Sequence, residues 1–76
     1  MELKLVAVNR NHHAFEVKFV GNRVPTTDEV KAAVTSKYPE WEAVGISQEY
    51  LQCTFDSWYR YGYCTYITGS RLRKGD

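Results

Sequence analysis

Residues 14–20 read Ala-Phe-Glu-Val-Lys-Phe-Val, a segment in which large apolar side chains alternate with charged ones. Successive side chains of a β-strand point to opposite faces of a sheet, so this alternation predicts a strand with one apolar and one charged face. The apolar face carries Phe15, Val17 and Phe19, and the charged face carries Glu16 and Lys18. A strand of this kind is typical of a sheet that buries one side and leaves the other side open.

The rest of the N-terminal half predicts a partner strand and one helix. Residues 2–8 alternate in the same way, and the polar residues 9–12 favour a turn, so the first two strands form a hairpin. Thr26 and Glu29 then have the spacing of a capping box, which predicts the start of a helix that Pro39 ends. Apolar side chains recur along this helix at helical spacing: Val30, Ala33, Val34 and Tyr38.

The C-terminal half predicts a second hairpin. Leu51, Cys53 and Phe55 alternate with polar residues, and residues 63–68 are rich in aromatic and β-branched side chains. Residues 56–62, which end in a glycine, form the connection between these two strands. The register that buries the most apolar surface pairs Phe55 with Tyr63, Cys53 with Thr65 and Leu51 with Ile67.

The predicted element order is therefore ββαββ, which is an α+β fold. Short connections and right-handed crossovers favour a four-stranded antiparallel sheet in the order 2-1-3-4, with the helix packed on one face. A chain of 76 residues has room for one domain, which we assign to residues 1–70. Residues 71–76 predict a flexible basic C-terminal tail.

Composition limits the class of protein. No apolar run approaches the ~18–20 residues of a membrane span, so we expect no membrane partner. The first residues lack the pattern of a secretory signal, and two cysteines cannot build a disulfide framework. We therefore expect a cytoplasmic domain that binds no cofactor.

Charge disfavours a protein that depends on phosphate contacts. The chain has ten Lys and Arg residues and nine Asp and Glu residues, which gives a net charge of +1, whereas such domains are usually strongly basic. The charges are nevertheless separated, because residues 39–57 hold four acids and no base, while residues 58–75 hold four bases and no acid. Such blocks either steer a protein partner or pair with each other inside the domain.

Residue types that carry chemistry form no recognised constellation. His12 and His13 are adjacent, so in a strand they point to opposite faces and chelate no common ion. Cys53 and Cys64 lack the spacing of a zinc site, and their predicted positions on opposite faces leave both reduced. No glycine-rich phosphate loop is present. We expect no metal site and no catalytic site, and a small enzyme is the least favoured hypothesis.

The most informative segment is residues 58–63, Trp-Tyr-Arg-Tyr-Gly-Tyr. A single helix cannot cover all of these rings, and Trp, Tyr and Arg are the side chains most enriched in binding hot spots. The segment therefore predicts an aromatic hairpin that binds a protein partner, although some rings could instead form a minor core on the open side of the sheet. The expected partner-binding residues are Trp58, Tyr59, Arg60, Tyr61 and Tyr66.

These observations predict a small non-catalytic protein-binding module. Chains of this build are common among phage and mobile-element accessory proteins, so we expect it to inhibit or modulate a host protein complex through the aromatic hairpin. A second copy bound to the open face of the sheet is a further expected partner. The alternative is a weak single-stranded nucleic-acid-binding protein that stacks bases on the same rings. Its phosphate-binding residues are Arg60, Arg71, Arg73 and Lys74.

Overall fold

The computed structural model describes residues 3–73. Over this range the chain forms four strands and two α-helices in the order ββαβαβ. The elements are β1 (Lys4–Asn11), β2 (Ala14–Val20), α1 (Thr27–Lys37), β3 (Trp41–Val44), α2 (Gln48–Trp58) and β4 (Cys64–Leu72). A single 3₁₀ turn, Tyr59–Tyr61, follows α2 directly. No helix in the described range is long and apolar enough to cross a membrane.

The sheet has the strand order β1-β2-β4-β3, and every neighbouring pair is antiparallel. The predicted α+β class and the four-stranded antiparallel sheet are confirmed, but the predicted order 2-1-3-4 is wrong. That order assumes that the last strand lies at one edge. Instead β4 pairs with β2 on one side and with β3 on the other, so β2 and β4 form the centre of the sheet.

The predicted strand through residue 51 is wrong, because residues 48–58 form α2. Leu51, Cys53 and Phe55 fit the period of a strand, yet Leu51, Phe55 and Trp58 also fit the i, i+4, i+7 spacing of a helix. The helix buries Leu51 completely and leaves Cys53 exposed. The predicted pairing of Phe55 with Tyr63 therefore does not exist.

α2 lies along the part of β4 that β3 does not reach. β3 pairs with residues 69–72 only, which leaves about 16 Å of β4 without a strand on that side. An 11-residue helix is also about 16 Å long. The Tyr50 hydroxyl of α2 accepts a hydrogen bond of 2.9 Å from the Ile67 N–H, which satisfies an amide of the uncovered strand edge. The Gln48 side chain joins α2 to the Pro25 carbonyl oxygen at 3.0 Å.

The hydrophobic core lies on one face of the sheet. Phe15, Val17 and Phe19 point into it, as the alternation of residues 14–20 predicts. They pair with Thr68, Tyr66 and Cys64 of β4, whose side chains point to the same face. Helix α1 covers this face with the apolar stripe expected from the sequence, and the buried hydrophobic residues include Val8, Phe15, Val17, Phe19, Val30, Ala33, Val34, Ala43, Leu51, Cys64 and Tyr66.

The predicted capping box begins α1. The Thr26 hydroxyl accepts from the Glu29 N–H at 3.1 Å, and a Glu29 carboxylate oxygen accepts from the Thr26 N–H at 2.8 Å. The Arg23 guanidinium binds both oxygens of the same carboxylate, at 2.9 and 2.8 Å. Hydrogen bonds from Arg23 and from the Thr26 backbone lower the pKa of Glu29 to about 2. The helix start is thereby fixed to the segment that leaves β2.

β4 extends beyond the predicted domain boundary at residue 70. Leu72 pairs with Trp41 and Arg71 pairs with Glu42, because β3 supplies backbone partners that the predicted sheet lacked at this position. The Arg71 guanidinium also binds the Glu42 carboxylate at 2.9 Å. Glu42 of the acidic block (residues 39–57) is thus paired with Arg71 of the basic block (residues 58–75) inside the domain. The remainder of the predicted tail, residues 74–76, lies outside the described residues.

Substitutions at positions 51 and 53 distinguish the helix from the predicted strand. We expect Leu51→Ala to lower the free energy of unfolding by about 2–5 kcal/mol, because it leaves a cavity in the core. We expect Cys53→Lys to change it by less than about 0.5 kcal/mol, because residue 53 lies on the exposed side of α2. Urea denaturation followed by circular dichroism measures both values. A loss of more than about 2 kcal/mol for Cys53→Lys would show an inward side chain, as in a strand.

Candidate protein-docking surface

The C-terminal end of α2 and the turn after it carry large aromatic side chains outside the core. The exposed fractions are 39% for Trp58, 57% for Tyr59 and 62% for Tyr61. Trp58 is the last residue of α2, and Tyr59 and Tyr61 lie in the tighter 3₁₀ turn that follows it, outside the helical stripe that begins at Leu51. The rings are therefore accessible, as expected from the excess of aromatic residues over available core.

Trp58, Tyr61 and Tyr63 form a ring cluster. The Trp58 ring centroid lies 5.7 Å from that of Tyr61 and 5.9 Å from that of Tyr63, in edge-on and tilted arrangements. The Lys18 ammonium lies 4.2 Å above the Tyr63 ring, within the range of a cation–π interaction. Trp58 thus contacts both tyrosine rings, and Lys18 contacts one of them.

Tyr59 and Arg60 lie beside the ring cluster in sequence but make different contacts. The Tyr59 ring stacks on Phe55, with centroids 5.6 Å apart and planes 20° from parallel. Arg60 is exposed and makes no hydrogen bond or ion pair with any residue between 3 and 73. Its guanidinium is therefore available to an anionic or aromatic group of a partner.

The ring cluster continues into the side of the sheet that faces away from the core, which we call the open face. On the central strands the open face consists of Ala14, Glu16, Lys18, Val20, Thr65, Ile67 and Gly69. Ile67, which lies at the centre of the open face, is 46% exposed. Because Lys18 belongs to the open face and also contacts Tyr63, the ring cluster and the open face form one surface. We call this the docking surface.

Tyr66 does not belong to the docking surface, so the prediction that it binds a partner is wrong. Its side chain is 0% exposed, and its ring lies 6.2 Å from that of Phe19 in the core. Tyr66 pairs with Val17 of β2, and this pairing turns it inward, whereas the predicted register turned it outward. Burial and the neighbouring Cys64 thiol raise the pKa of the Tyr66 hydroxyl well above its usual range.

The predicted phosphate-binding residues do not form one patch. Arg60 precedes β4 and Arg71 lies near its end, and a strand of nine residues spans about 30 Å. Arg71 binds Glu42, and an Arg73 guanidinium nitrogen lies 3.4 Å from the Thr35 hydroxyl. Lys74 lies outside the described residues.

The histidine and cysteine residues are dispersed over the fold. His12 and His13 form the exposed two-residue turn between β1 and β2, where His12 adopts a positive φ of 58°. Cys53 is exposed on α2 and Cys64 is buried on β4. Within residues 3–73, no three His, Cys, Asp or Glu side chains are grouped to hold a metal ion, and no pocket is found.

No protein-family model matches the chain, and comparison with curated proteins and with solved structures gives no significant match. The docking surface is therefore interpreted from its own chemistry. Sequence reasoning missed the contact between Lys18 and Tyr63. That contact requires β2 and β4 to be neighbours, which the predicted strand order did not make them.

Gly62 sets the direction in which the chain leaves the 3₁₀ turn and enters β4. Its φ is 88°, and a Cβ at this position would meet no atom within 4 Å. We expect Gly62→Val to lower the free energy of unfolding by about 1–2 kcal/mol through backbone strain alone. Gly62→Asn should cost less than about 1 kcal/mol, since Asn adopts this conformation more readily. Equal losses in urea denaturation would contradict this explanation.

Proposed function

We propose that this chain is a small non-catalytic protein-binding module and that it docks through the docking surface together with Tyr59 and Arg60. The observation that supports the proposal is the exposure of Trp58, Tyr59 and Tyr61, which ranges from 39% to 62% in a chain of 76 residues. Rings of this size contribute strongly to binding when a partner removes them from water.

The contacts among the rings favour tight binding. A side chain that is already held in place loses little conformational freedom when a partner covers it. Trp58 is in contact with two other rings, and Tyr59 is stacked on Phe55. Ring contacts made on folding therefore reduce the cost of ordering Trp58 and Tyr59 when a partner binds.

Charged side chains around the rings would set the orientation of the partner. Glu49 and Asp56 on α2 precede the aromatic positions, Arg60 lies between Tyr59 and Tyr61, and all three are exposed. Charges at the rim of an interface influence the rate of encounter and the choice of partner more than affinity. A partner with a complementary rim is therefore favoured over a neutral one.

A protein partner is favoured over single-stranded nucleic acid. A strand-binding groove needs cations that follow the phosphate backbone past the stacked bases. Here Arg60 is the one predicted phosphate contact near the rings, while Arg71 and Arg73 lie at the far end of β4. Two of the predicted phosphate contacts, Arg71 and Arg73, are thus separated from the rings.

Capture experiments test the proposal. Tagged chain is incubated with a native lysate, and bound proteins, including untagged copies of the chain itself, are identified by mass spectrometry. We expect Trp58→Ala combined with Tyr61→Ala to keep the fold and to weaken binding of the purified partner at least 100-fold, as for hot-spot residues.

The matched control replaces two exposed residues of α1, Lys31→Ala with Ser36→Ala, and should capture the same proteins as the unmodified chain. Circular dichroism and urea denaturation establish that all variants are folded. The proposal fails if the Trp58 and Tyr61 double variant retains every protein that the unmodified chain captures.

A further inference from the structure

We infer that the protein bound by the docking surface is a second copy of this chain, related to the first by a two-fold axis. The inference rests on the proposed function and names the partner. It is carried by the order of side chains along the open face, which is complementary to itself when the order is reversed.

The outward side chains of the two central strands form four successive rows. The first row is the ring cluster, where Tyr63 precedes β4, together with Val20 at the end of β2. The second row is Lys18 with Thr65, and the third is Glu16 with Ile67. The fourth row is Ala14 with Gly69. Val44 of β3 pairs with Gly69 and extends this row.

A two-fold axis that lies in the plane of the interface, perpendicular to the strands, reverses this order. If the axis passes at the level of the Val17–Tyr66 pair, it exchanges the second row with the third row and the first with the fourth. Lys18 then faces Glu16 of the second copy, and Glu16 faces Lys18 of the second copy. A contact of this type closes on itself, so it produces a dimer and not a filament.

Charge supports this arrangement. Glu16 is exposed and makes no hydrogen bond or ion pair with any residue of the described range 3–73. Lys18 is half-buried, and its ammonium lies over the Tyr63 ring of the first row. The long, flexible lysine side chain can turn from that ring to a carboxylate of the second copy. In the dimer, Lys18 of each copy faces Glu16 of the other copy, so two opposite-charge pairs form.

Shape supports it as well. The first row consists of large rings, whereas the fourth row consists of small side chains at Ala14 and Gly69. A Cβ at Gly69 would lie 3.2 Å from the Val44 side chain, so the glycine allows Val44 to lie close over the strand. The result is a flat apolar area at the end of the face that the rings of the second copy would cover.

The size of the face suits a modest dimer. The four strands hold 8, 7, 4 and 9 residues, and at about 3.3 Å along a strand and 4.8 Å between strands they cover about 440 Å² on each copy. The total of about 900 Å², before the ring cluster is added, lies in the range of weak, transient interfaces. We therefore expect a weak dimer that dissociates on dilution.

Sedimentation equilibrium of the full chain with charge-exchanged variants tests the inference. Glu16→Lys places two lysine pairs across the axis, and Lys18→Glu places two glutamate pairs there, so each variant alone should dimerise at least tenfold more weakly. An equimolar mixture of the two variants restores both opposite-charge contacts and should dimerise like the unmodified chain. The variant that carries both exchanges should do the same.

The matched control is Ala32→Lys, which adds a positive charge to the exposed side of α1 on the opposite face of the sheet and should leave dimerisation unchanged. Monomeric chain at millimolar concentration, or a mixture that dimerises no better than its components, would overturn the inference. If the chain is monomeric but Trp58 and Tyr61 are still required to capture a different protein, the inference fails and the proposed function stands. If neither dimer nor captured protein depends on the rings, both fail.

Discussion

The antiparallel pairing of β2 with β4 is the constraint on which the rest of the structure depends. It places Phe15, Val17 and Phe19 beside inward side chains of β4, which creates the face that α1 covers. The same register turns Glu16 and Lys18 outward, which creates the open face. A shift by one residue would exchange the two faces of β4, so the core and the docking surface are set together.

The position of β4 also explains α2 and the exposed rings. β4 is longer than β3, so part of its edge needs another partner, and α2 covers that part over a matching length of about 16 Å. Tyr50 and Leu51 attach the helix to the sheet, one through a hydrogen bond and the other through burial. The rings at the end of α2 lie past this attachment, and α1 covers the other side of the sheet. The rings remain exposed to water because no other helix or strand of the described residues covers them.

Sequence patterns predicted the local elements better than the pairing between them. The alternation of residues 14–20 and the capping box at Thr26 each have a single physical interpretation, and both predictions are confirmed. Leu51 and Phe55 fit both the period of a strand, with Cys53, and that of a helix, with Trp58. In the structure Leu51 is buried and Cys53 is exposed, as in a helix. The number of rings indicated that the core could not hold them all but left open a minor core on the open face. The inward position of Tyr66 depends on a long-range register that local patterns do not contain.

Trp58 lies outside the core of the folded chain, and we propose that another protein molecule covers it. The most direct measurement is fluorescence of the Trp41→Phe variant, in which Trp58 is the single tryptophan. In dilute solution we expect red-shifted emission that acrylamide quenches readily, and protection from acrylamide as the docking surface becomes occupied. Blue-shifted emission that resists acrylamide at every protein concentration would contradict it.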